Sequence, residues 1–185
     1  PVHTRGLVLT IVSNATPIIY LGKIGKLFLL KQLYEHVHIP RTVWEELVRP
    51  LTEAWVEVPE DVPEIINAYS ERWLTPKHLD QKHQELSEKL VTYGIHKSQA
   101  DAIALTIQLK ADFFLTNDEV AREAALKHKA KTRWLTEVLL DALKSGLIKH
   151  PEDFDEILDK LVAKGLWIRK TLIQAAKNKA RKVGT

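Results

Sequence analysis

Short apolar runs rich in β-branched residues recur along this chain, each separated from the next by sequence of helical period. That alternation restricts the fold to a small set of layered α/β arrangements. The first run opens LVLTIVSNATPIIYL (residues 7–21) and changes character at Asn14-Ala15-Thr16-Pro17, which reads as strand, tight turn and helix start. Residues 6–12 are too few for the apolar core and cleavage site of a secretory leader and read as a buried strand. Thr16 suits an N-cap, and Pro17 the first helical position, where a missing N–H is harmless. After the leucine-rich GKIGKLFLLKQLY comes HVHIP, a short strand closed by Pro40. TVWEELV then opens a helix with Thr42 as N-cap and Glu45 in a capping-box place. Residues 55–58 suggest a short edge strand. Residues 61–93 read as two helices broken at Leu74-Thr75-Pro76, forming a lobe or cover. SQADAIALTIQL is apolar over a wide face and must be a buried helix; ADFFLTND, EVAREAALKHKA, KTRWL and TEVLLDALKSGLI follow as strand, helix, strand and helix. The order predicts a largely parallel sheet with helices on both faces.

The 185 residues suffice for one well-buried unit. We expect a single domain over residues 1–185, with a core of about 7–148, a helical insertion near 61–95 and a C-terminal helical extension near 151–180. The extension reads as two helices parted at Gly165, then a basic tail. No apolar run nears the roughly 20 residues of a bilayer span, so the expectation is a soluble, cytoplasmic protein without membrane contact. Cysteine is absent, which removes disulfides, thiolate metal sites and cysteine nucleophiles together. The net charge of +3 and pI near 9.0 are compatible with a polyanionic partner such as RNA or DNA.

In an open parallel sheet, ligands bind beyond the carboxyl ends of the strands. Asn14 and Asp118 follow strand-like runs directly, while Asp101 and Glu46 fall in the first turns of helices, so all four can reach one crevice. Three carboxylates within about 5 Å of one another would repel by on the order of 3 kcal/mol per pair at an effective dielectric near 20. A hard divalent cation such as Mg²⁺ or Mn²⁺ removes that repulsion, prefers oxygen ligands and activates water beside a phosphate. Metal-assisted phosphodiester hydrolysis is the leading reading of these residue types.

The stretches VSNATPIIYLGKIGKLFLL, IPRTVWEELV and SQADAIALTIQLKADFFLTNDEVAREAA, with a weaker match from SGLI through LVAKGLWI, resemble the PIN-domain family over most of residues 7 to 170. They are most similar to its VapC-like, stand-alone prokaryotic branch. The resemblance implies a three-layer α/β/α fold with a central, mainly parallel sheet and extra helices in the middle and at the C-terminus. It also implies a Mg²⁺- or Mn²⁺-dependent ribonuclease acting on RNA, a toxin's antitoxin as a possible protein partner, and a homodimer. The family's acidic quartet maps onto Asn14, Glu46, Asp101 and Asp118, as metal ligands and catalytic groups, with Thr116 and Asn117 shaping the pocket beside them. Asn14 departs from the family's Asp: its carbonyl can still ligate a cation, but one negative charge is lost.

Each of these residues also has an ordinary reading. Asp101 could answer a helix dipole, Asp118 could cap the next helix, Glu46 could be a solvated charge and Asn14 a turn residue. The eight histidines show no metal-ligand spacing; His36 and His38 read as surface positions and His96 as a loop residue near the crevice. Lys177, Lys179, Arg181 and Lys182 read as a frayed tail, and the five tryptophans as packing residues. The rivals to a nuclease are a catalytically weak or inactive RNA-binding or regulatory protein of the same fold, which Asn14 favours, and a scaffold whose acidic pocket takes no ligand.

Overall fold

The computed structural model describes residues 9–53 and 57–183. One parallel sheet organises them. Its strands are β1 (Ile11–Ser13), β2 (Val37–Pro40), β3 (Leu74–Lys77), β4 (Phe113–Leu115) and β5 (Thr132–Arg133), in the order β3-β2-β1-β4-β5. All four neighbouring pairs run parallel, with Ile11 opposite Val37, Val12 opposite Phe114 and Ile39 opposite Pro76.

Alternation along the strands sends their side chains into two separate cores. Ile11, Val37, Ile39, Leu74 and Leu115 pack into the larger one. It is covered by α1 (Ala15–Lys23), α2 (Phe28–Tyr34), α3 (Arg41–Thr52), α4 (Val62–Ser70), α8 (Leu135–Lys144), α9 (Pro151–Ala163) and α10 (Lys170–Val183). Val12 and Phe114 pack on the opposite face beneath α5 (Gln81–Thr92), α6 (Lys97–Gln108) and α7 (Glu119–Lys127). The result is the expected α/β/α layering. Ala100, Ala102, Ile103, Ala104 and Leu105 of α6 are all fully buried, as its sequence requires.

Three local expectations change. Leu74-Thr75-Pro76 is the outer strand β3, not a helix break. Proline lacks a ladder donor, so it reads as a breaker, yet an edge strand tolerates it. Thr16 and Thr42 do not cap their helices: Asn14 and Pro40 occupy those positions, and neither contributes a side-chain cap. Glu45 instead pairs with Arg41 at 3.1 Å along α3. The basic C-terminal segment is the helix α10, packed on α8 and α9, with Ala176 and Ala180 buried and with Lys177–Asp159 and Arg181–Asp155 ion pairs at 2.7 and 3.0 Å. Of the proposed strand at 55–58, residues 55 and 56 lie outside the described residues.

The chain leaves β1 toward β2 on one side, while β4 lies on the other. Their shared carboxyl end is therefore the topological switch point, where doubly wound sheets open a crevice. The backbone pairing reaches that end, since Asn14 N donates to Leu115 O at 3.1 Å.

Candidate metal and phosphodiester site

At the switch point the Asn14 side chain is buried and its Nδ2 donates to Thr116 Oγ1 at 2.7 Å. Thr116, fully buried, also accepts the Asp118 backbone N–H at 3.1 Å. One hydroxyl thus ties the turn after β1 to the turn after β4. Asn14 Oδ1 is buried without a hydrogen-bond partner among the described residues. A buried acceptor left open in this way carries a desolvation penalty that a ligand could relieve. Asp118 is the N-cap of α7, its Oδ1 accepting from Ala121 N at 2.7 Å. Asn117 Oδ1 accepts from Leu135 N at 3.0 Å, which pins the same turn to the start of α8.

Asp101 stands in a second group. α6 begins at Lys97, so Asp101 lies in its second turn and its charge is answered by side chains instead of the helix dipole. Oδ1 accepts from Ser87 Oγ at 2.5 Å and from Lys97 Nζ at 2.6 Å, and Oδ2 from Thr42 Oγ1 at 2.8 Å. These partners come from α5, α6 and α3. Glu46 is one helical turn beyond Thr42, on the same face of α3, half-buried. Thr42, Lys97 and Asp101 share a cleft of about 250 Å³ with Pro40, Arg41, Lys77, His78 and Gln84. Arg41, Lys77 and Lys97 share its walls with Asp101 and Glu88, which leaves a small positive excess.

Asn14, Thr116, Asn117 and Asp118 are thus joined, and Thr42 links Asp101 to the face of α3 that carries Glu46. The two groups share no direct hydrogen bond, and Asp118 lines a different cleft from Asp101. Among the described residues, no group of three or more His, Asp or Glu side chains is placed to hold a metal ion. The expected crowding of Glu46, Asp101 and Asp118 around one centre is not formed, because the Asp101 carboxylate is turned toward Lys97, Ser87 and Thr42. The donor chemistry still suits a hard cation: Asn14 Oδ1 is an open buried oxygen, and Mg²⁺ commonly uses only one or two carboxylates and completes its shell with water.

Sequence reasoning missed Lys97, Ser87 and the true role of Thr42. The Lys97–Asp101 spacing of one helical turn was the available signal. Nor is His38 a surface residue. It is half-buried in β2 with Nδ1 unpartnered among the described residues, and burial, then Lys77 and His36, lower its pKa below the usual value. His96 is exposed at the N-cap of α6, its Nδ1 3.1 Å from Ser98 Oγ.

A doubly wound α/β domain with a polar site at its switch point defines the class. More particularly, the chain belongs to the PIN-domain family: the family model described as DUF3368, PIN domain, matches residues 10–182. No curated protein matches the chain. Family membership suggests nuclease activity in general; PIN domains generally use divalent metal ions, and PIN nucleases bind RNA. No helix among the described residues is long and apolar enough to cross a membrane.

Proposed function

We propose that this protein is a metal-dependent ribonuclease that hydrolyses RNA phosphodiester bonds. The open, buried Asn14 Oδ1 at the switch point carries this reading. It is the kind of oxygen a cation would take, and a side-chain amide clamped to Thr116 holds it in place. Asn14 and Asp118 would hold Mg²⁺ or Mn²⁺, joined by Asp101 and Glu46, directly or through water, once Lys97 leaves the Asp101 carboxylate; the ion when bound would offset phosphate charge and polarise water.

The chain's own groups supply the rest. Arg41 and Lys77 line the cleft beside Asp101 and orient the phosphate backbone. Lys97 donates to Asp101 in the free protein and can turn its ammonium to a phosphate oxygen when RNA enters. Glu46 has no side-chain hydrogen bond or ion pair among the described residues, which leaves it able to accept a proton from the attacking water. As the water oxygen bonds to phosphorus, the bond from phosphorus to the leaving oxygen breaks, and that oxygen is protonated from solvent.

A VapC-like toxin role, with an antitoxin covering the cleft, and a homodimer are the finer parts of this reading. The Lys97–Asp101 ion pair, with no ready group of three carboxylates, specifically favours a second one, an RNA-binding protein of low or no catalytic activity. Incubating single-stranded and structured RNA with the protein and Mn²⁺ or Mg²⁺ separates them. The nuclease reading requires cleavage that Asp101→Ala abolishes. Cleavage that survives Asp101→Ala contradicts it, and metal-insensitive binding without cleavage establishes the second reading.

A further inference from the structure

Beside the switch point, the C-terminal extension forms a cleft with the turns after β4 and β5. It is lined by Asn117 and Asp118, by Trp134, and by Trp167, Arg169 and Leu172 of the extension. The indole of Trp167 is 76% exposed, the most exposed large apolar side chain among the described residues. Burying it would recover apolar area that the fold leaves in water. The cleft holds about 270 Å³, at the lower edge of the roughly 300–1,000 Å³ of small-molecule sites. That is room for a flat ring system, not for a folded polymer.

The place of the cleft, beside Asp118, selects the occupant. Glu119, on the cleft wall, is answered by Arg169 at 2.8 Å. Lys170, which follows Arg169 and begins α10, is exposed, whereas Lys177 and Arg181 further along that helix are paired with Asp159 and Asp155. The Arg122 guanidinium lies 5.0 Å from the Trp134 ring centre, adding a cation behind that aromatic wall. An exposed indole beside cations, opening directly off Asn117 and Asp118, is the combination that binds single-stranded nucleic acid: bases stack on aromatic rings while the backbone follows positive charge.

We propose that this cleft is a base-binding subsite in which one unpaired base of the RNA stacks on Trp167, placing its neighbouring phosphodiester beside Asp118. This deepens the nuclease reading and rests on it for the identity of the polymer. Trp167 positions the substrate; it takes no part in bond breaking.

The test is binding in EDTA, where cleavage does not interfere, of a fluorescein-labelled oligoadenylate five nucleotides long and of an abasic oligomer of equal length. The wild-type protein binds the base-bearing oligomer more tightly. Trp167→Ala weakens that binding by about 5- to 150-fold, the range for loss of one stacked base, to the abasic level, and Trp167→Phe retains most of it. Equal affinity for the two oligomers, or an unchanged affinity in Trp167→Ala, overturns the proposal. So does a Trp167→Ala protein that binds RNA normally but shifts from dimer to monomer in sedimentation, which would assign the face to a second copy. Base-dependent binding lost in Trp167→Ala without any Mn²⁺-dependent cleavage keeps the subsite and removes the nuclease reading. Metal-dependent cleavage with Trp167-independent binding does the reverse.

Discussion

Lys97 Nζ lies 2.6 Å from Asp101 Oδ1 and 3.1 Å from Ser87 Oγ, so the ammonium stands where a divalent cation would be drawn to the same carboxylate. Asp101 is almost fully buried whereas Lys97 is about half exposed, so the lysine can leave and the acid cannot. Removing the amine leaves a buried charge with only neutral donors. We expect Lys97→Ala to lower stability by about 1 kcal/mol in metal-free buffer, and Mn²⁺ to restore more of it than it adds to the wild type. Urea denaturation with and without Mn²⁺ measures both. Equal Mn²⁺ effects in the two proteins would show that Lys97 and the cation do not compete.

Thr116 holds the two turns of the switch point through one oxygen. Thr116→Val keeps the shape but removes the acceptor for Asn14 Nδ2 and Asp118 N. A loss of roughly 1–3 kcal/mol follows from leaving buried donors unpaired, and Thr116→Ser should recover most of it. Comparable stabilities for Val and Ser in denaturant titrations would remove the hydroxyl from its assigned role.

The crossing of α1 and α4 depends on Gly22. A Cβ there would sit 2.7 Å from Asp61 Cβ, an atom that cannot swing aside. Gly22→Ala therefore overpacks the contact, and the expected loss is about 1–3 kcal/mol despite alanine's better helix propensity. A thermal midpoint unchanged from wild type would contradict this packing.

His38 gives the stability a pH dependence of known sign. Its pKa is depressed in the fold by burial, then by Lys77 and His36, from an ordinary value of 6.5, so the unfolded chain binds the proton more readily. Its contribution is present above about pH 6.5 and is lost as pH falls through the lower, folded pKa. His38→Leu should flatten the decline in unfolding free energy between pH 7.5 and 5 relative to wild type. Parallel declines in the two proteins would count against it.

The sheet and its layers were legible because period-2 and period-3.6 apolar patterns differ strongly in LVLTIV, ADFFL and SQADAIALTIQL. β3 was not, because Pro76 carries the same signal in an edge strand as in a loop, and only pairing with β2 distinguishes them. Both helices start earlier than expected, α1 at Ala15 and α3 at Arg41, so that Thr16 and Thr42 already lie inside them; the Thr42 side chain turns to Asp101, a tertiary choice invisible in local sequence. The candidate residues were legible through family resemblance, but their hydrogen-bond partners were not. Ser87 reaches Asp101 from a segment read only as part of a covering lobe.

We expect position 14 to set the metal affinity of the site. Restoring a carboxylate there adds a charge beside the open oxygen position without changing side-chain size, and Thr116 can donate its hydroxyl proton to it.

Initial rates of RNA cleavage, titrated with Mn²⁺ after exhaustive removal of metal, should be compared for the wild type, Asn14→Asp and Asp118→Asn. We expect a saturable metal requirement in the wild type, half-saturation at roughly tenfold lower Mn²⁺ in Asn14→Asp, equivalent to about 1.4 kcal/mol of tighter binding, and little or no cleavage by Asp118→Asn. Cleavage that needs no metal, or that Asp118→Asn leaves intact, would contradict a metal-dependent nuclease at this switch point, as would inactivity of both the wild type and Asn14→Asp.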